Sequence, residues 1–193
     1  RRRHAGYVLE LAEEAEPRDW SMDWLDLFEP EQDNIRAALD CFEAIGESEH
    51  AVRLAGAVWP FWCQSNRHPE GERRLAQALA NYPEQTAARA RALVGAADMA
   101  ANARDHVALR TRADEARRIY QAIGDDRGIG DANLFLGQLE TEARNLEEAR
   151  DLYRESSRLF HQVDDHGSEL HSKASLGRTL TELGHLEEAQ ALF

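Results

Sequence analysis

This chain repeats itself at a stride of forty residues, and no other feature of it constrains the fold as tightly. When the segment 134–149 is laid over 174–189, Leu136 matches Leu176, Gly137 matches Gly177, and the run Leu146-Glu147-Glu148-Ala149 matches Leu186-Glu187-Glu188-Ala189. The same offset pairs Ile119 with Leu159, Tyr120 with Phe160, Ile123 with Val163, Asp125 with Asp165 and Ala97 with Gly137. A further step back places Ala57 at the small-residue position. A fixed stride in this range marks an array of stacked supersecondary units.

Each unit reads as two helices. The first, such as 130–144, carries a small residue at its middle, where a Cβ would hold the neighbouring helix away. The second, from Leu146 to about Val163, sets Ala149, Leu152, Tyr153, Ser156, Leu159 and Phe160 on one stripe at spacings of three and four. Asn145 with Glu148 has the form of an N-cap and its capping-box partner, and Gly184 suits a left-handed C-cap. Tight turns make the two helices antiparallel neighbours. A single hairpin cannot bury both of its apolar faces, so the units must share a continuous core. They trace near residues 50–82, 86–124 and 126–164, with a fourth starting at about 166.

Composition agrees with helices throughout: Ala, Leu, Glu and Arg abound, 31% of residues are charged, and only 5 are proline. No stretch approaches the roughly 18 to 20 apolar residues that span a bilayer, and no signal-like apolar segment opens the chain. A soluble, cytoplasmic protein is the expectation. The net charge of −13 repels phosphate backbones; the short basic start Arg1-Arg2-Arg3-His4 reads as linker. Cys41 and Cys63 fall within apolar helical patterns, as buried small hydrophobes of a reducing compartment do. The opening residue is not Met and the last segment is a helix barely begun, so both ends look cut from something longer.

The spacing resembles the tetratricopeptide repeat. Gly137, Ala149, Tyr153 and Ser156 fit that family's pattern of small, Ala, aromatic and small residues, as do Gly177, Ala189 and Phe193; Ala97, Leu109, Ala113 and Ala116 form a weaker copy. The departures are a longer unit and a missing closing proline. The resemblance implies an all-α helical-hairpin repeat solenoid, a right-handed superhelix, over 48–193, preceded by a helical connector over 1–47. The segments 122–129, 24–39 and 54–62, the last with Trp59-Pro60-Phe61-Trp62, further resemble the helical region that follows the nucleotide-binding module of large bacterial signal-transducing ATPases, many of them LuxR-type transcriptional regulators. Pro60 departs from that pattern and predicts a kink. That resemblance implies a sensor arm that binds a protein, a peptide or a small-molecule inducer. The other reading is a constitutive protein–protein assembly scaffold.

Catalysis finds no support in the residues. The chain lacks a Gly-x4-Gly-Lys-Ser/Thr loop, and no Ser-His-Asp or paired-carboxylate arrangement stands out from its general acidity. His161, His166 and His171 are spaced by five, about 140° apart on a helix, and straddle a turn; no metal and no cofactor are expected. Trp59 and Trp62 lie off the face that carries Leu54, Val58 and Phe61, which leaves them as core or as an aromatic contact for a partner. The tetratricopeptide resemblance places the binding groove on the first helix of each unit. Carried across, its positions are Arg91, Asp98 and Asn102, then Asp131, Gln138 and Glu142, then His171, Arg178 and Glu182, all polar. A merely solvated face would look the same.

Overall fold

The computed structural model describes residues 1–15 and 23–192, with Asp23 and Trp24 described through their backbone alone. These residues form helices and no strand. The order is α1 (Arg2–Glu14), α2 (Asp23–Phe28), α3 (Gln32–Ala44), α4 (Ser48–Gln64), α5 (His68–Asn81), α6 (Ala87–Asn102), α7 (His106–Ile123), α8 (Asp126–Glu142), α9 (Leu146–Gln162), α10 (His166–Leu183) and α11 (Leu186–Gln190). From α4 onward they pack as hairpins, α4 with α5, α6 with α7, α8 with α9 and α10 with α11, while α4 also lies on α6 and α6 on α8. The chain is an all-α helical-repeat solenoid. Phe193, matched above to Tyr153, lies outside the described residues.

Side-chain oxygens start several of these helices. Thr86 caps α6 through the Arg89 N–H, and Asp105, Asp125 and Asp165 accept from Ala108, Gly128 and Ser168 at the starts of α7, α8 and α10. Asn145 departs from its expected role. It stands at the N-cap of α9 without a side-chain cap bond, because its Nδ2 donates instead to the Glu140 carboxylate at 2.7 Å. Glu140 is buried and needs that donor more than the helix end needs a cap.

The stride persists in the backbone. Arg104, Arg144 and Gly184 all take left-handed conformations (φ 56°, 65° and 84°) in the turn inside each hairpin, and Gly124 and Asp164 do so between hairpins (φ 72° and 57°). Gly184 is the left-handed C-cap expected of it.

Burial follows the small residues. A Cβ on Gly137 would lie 2.7 Å from the Tyr153 ring, so glycine is what lets α9 close on α8. Between hairpins Gly95 does the same for the Trp59 ring, at 2.5 Å. Leu54, Val58 and Phe61 are fully buried, as their shared face predicts, and α4 runs through Pro60 as one helix. The core extends without a break from Val8 of α1 to Ala132 of α8, so α1, α2 and α3 share it with the repeats. Guanidinium forks reinforce the seams: Arg53 grips Glu13 with bonds of 2.8 and 2.7 Å, and Arg112 grips Glu72 with bonds of 2.8 and 2.6 Å.

Candidate functional site

Because α4, α6 and α8 lie side by side, their facing surfaces enclose a cavity of about 410 Å³. Trp59 and Pro60 of α4, Arg91 and Val94 of α6, and Arg127 and Asp131 of α8 form most of its wall. Glu13, Arg53 and Tyr120 of α7 also line it. Apolar side chains and convergent charged groups thus share one concave wall, as in a pocket that takes a ligand or a partner side chain.

The electrostatics of this cavity centre on Asp131. Burial pushes its carboxyl up to about 7, against the pull of Arg127 and Arg91 and with the push of the Asp165 and Asp125 carboxylates. Arg127 is held by Asp165, its Nε donating at 3.0 Å. Burial also raises the Tyr120 phenol well above its usual range, so its hydroxyl stays protonated. At neutral pH the wall therefore offers guanidinium donors, a phenol and one carboxyl balanced between its two protonation states.

Of the nine groove positions, the structure brings Arg91 and Asp131 together in this cavity. Asp98 stands apart, beside Cys63 and His68. Glu142 is engaged by His106 at 2.8 Å and accepts from Gln138 at 3.4 Å, and Glu182 is engaged by Arg144 at 2.6 Å. Arg178 donates to Ser175 Oγ at 3.0 Å, while burial first and the Arg178 charge second lower the pKa of His171. Asn102 is exposed at the end of α6. Much of the face is thus a mesh of internal bonds.

Trp62 is not a surface contact. It is 2% exposed and belongs to the core, because α4 is covered by neighbours on several sides. Trp59 is also buried, yet it contributes to the cavity wall. His161 and His166 both face Glu169, at 3.3 and 3.6 Å, while His171 takes no part in that group. Tyr120 and Arg127 are cavity residues that the groove pattern omits, since they come from a second helix and a helix start. The repeat alignment of Tyr120 with Phe160 was the one signal available.

Residues 128–193 match the family model described as tetratricopeptide repeat. A tetratricopeptide repeat is present. The solenoid is also similar to the crystal structure of BtubC (BKLC) from P. vanneervenii, with a TM-score of 0.64 at 12% identity, over 98% of this chain and 87% of that one. A likeness at that identity is one of fold. No curated protein matches the sequence. Among the described residues no helix is long and apolar enough to cross a membrane.

Proposed function

We propose that this tetratricopeptide-type solenoid binds a segment of a protein partner, anchored in the cavity between α4, α6 and α8. The observation that supports it is the cavity itself: it lies where the first helices of successive hairpins meet, and its wall carries apolar side chains such as Trp59 and Val94 together with Arg91 and Asp131. Side chains at that junction report on how one hairpin sits against the next. A partner that favours one packing would shift the population of the whole array.

The finer reading is a sensor arm of a bacterial transcriptional regulator, resting on the resemblance of 24–39, 54–62 and 122–129 to that class. In that setting a small-molecule inducer occupies the same cavity. A constitutive scaffold is the other reading, and the bonded mesh on α8 and α10 favours it, because those carboxylates are already satisfied.

Peptides selected from a random library against the whole chain give the direct test. Those that bind should lose at least tenfold in affinity when Ala87→Trp fills the cavity or Arg91→Glu reverses its charge, with helical content unchanged. Equal binding to both variants would place the site elsewhere. In the protein with its neighbouring domains, a transcriptional response that survives Arg91→Glu and the triple change Gln138→Ala, Glu142→Ala, Arg178→Ala would remove the sensor reading.

A further inference from the structure

A separate group of side chains lies further along the α4–α6 seam. Small residues set the spacing there. A Cβ on Gly56 would stand 3.1 Å from the Ala92 nitrogen, and one turn on, Trp59 lies over Gly95. The next turn brings Cys63, four residues after Trp59, against Asp98, three after Gly95. The chain then reverses through Asn66, left-handed at φ 56°, and α5 begins at His68. Gly71 seats α5 tightly, since a Cβ there would lie 3.1 Å from both Trp62 and Met99. The result is convergence. A donor atom from each of Cys63, His68 and Asp98 lies within 4.8 Å of the other two.

Asp98 Oδ2 is buried and has no hydrogen-bond partner. A buried carboxylate oxygen is costly in that state, and a cation beside it removes the cost. The Cys63 thiol lies beside that carboxylate, within reach of the same point. The other histidine group differs, since there Lys173 bonds Glu169 at 2.6 Å.

We propose that Cys63 Sγ, a ring nitrogen of His68 and a carboxylate oxygen of Asp98 bind one zinc-class transition-metal ion. Sulfur, imidazole nitrogen and carboxylate oxygen are the donors of tetrahedral zinc sites, with bonds of about 2.0 to 2.3 Å. Such a site needs donors about 3.3 to 3.8 Å apart, which a small rotation of these side chains supplies. A thiolate disfavours magnesium and calcium. On binding, the S–H bond breaks, the proton leaves to solvent and the sulfur lone pair forms the metal bond, with no change of oxidation state. Three protein donors leave the fourth position to water or to a donor from a partner. The ion ties α4, α5 and α6 together and so clamps the first hairpin to the second.

Cobalt(II) makes the site visible. Titrated into the whole chain after chelator treatment under reducing conditions, Co²⁺ should bind at one equivalent and give tetrahedral d–d bands with a thiolate-to-cobalt charge-transfer band in the near ultraviolet. Zn²⁺ should displace it and raise the melting temperature by roughly 5 °C. Cys63→Ser should abolish the charge-transfer band, Cys41→Ser should leave it, and His68→Asn and Asp98→Asn should each weaken binding tenfold or more. Should Cys63→Ser fold poorly, the tenfold loss in His68→Asn, at the first turn of α5, tests the assignment in its place. Absence of the band in the wild type, its survival in Cys63→Ser, or binding that none of the three changes weakens would overturn the assignment.

Discussion

Replacing Asp131 by Asn tests the electrostatics of the cavity directly. The carboxyl holds its proton up to about pH 7 in the folded chain, against an ordinary value of 3.8. Folding therefore takes up a proton between those limits, and stability falls as pH rises through that window. A shift of about three units is worth at most about 4 kcal/mol at 1.36 kcal/mol per unit. The effective dielectric of a water-accessible cavity reduces this to roughly 2 kcal/mol. Asn has the same shape and cannot ionise. Urea denaturation of wild type and Asp131→Asn from pH 4 to pH 9 should give free energies that coincide at the acid end. The variant should gain on the wild type between about pH 4 and 7 and hold a constant lead above pH 8. Other titrating groups act equally in both proteins and cancel in the difference. A gap that does not vary with pH, or one that favours the wild type at pH 8, would refute a burial-raised carboxyl.

Two further changes probe the seams. Gly137→Ala drives a methyl to 2.7 Å from the Tyr153 ring and should cost about 1 to 3 kcal/mol in chemical denaturation; a neutral result would show that α8 and α9 can separate freely. Glu140 is opposed by burial, but bonds from Asn145 and Arg110 outweigh it and hold its carboxyl below the usual range. Glu140→Gln should therefore lose about 1 to 3 kcal/mol at pH 7. The loss should shrink as pH falls through the folded value of the wild-type carboxyl, where the native bonds are themselves surrendered.

The hairpins were legible because their signals are local. Gly137 and Gly177 stand out as small residues within apolar periodicity, and Gly184 announces its own turn. Arg104 and Arg144 hide the same turn, since nothing about arginine marks a left-handed backbone, and only their place in the stride could have suggested it. Asn145 misled because the capping box is read from two residues, whereas the buried Glu140 that captures its amide sits in the preceding helix. Trp59 and Trp62 could not be separated by helical phase, because α4 is apolar on several sides. What divides them is which neighbour covers each.

Periodicity, small residues and charge balance by themselves determined an all-helical array with a forty-residue stride. The cavity and the Cys63–His68–Asp98 group were decided by tertiary structure. Cys63 and Asp98 are far apart in sequence with no motif between them, and they meet only because Gly56, Gly95 and Gly71 let three helices approach closely. Helical propensity and amphipathicity act over a few turns of one chain segment. Which polar groups end up face to face depends on interhelix distance and register, and those are settled only when the apolar faces lock.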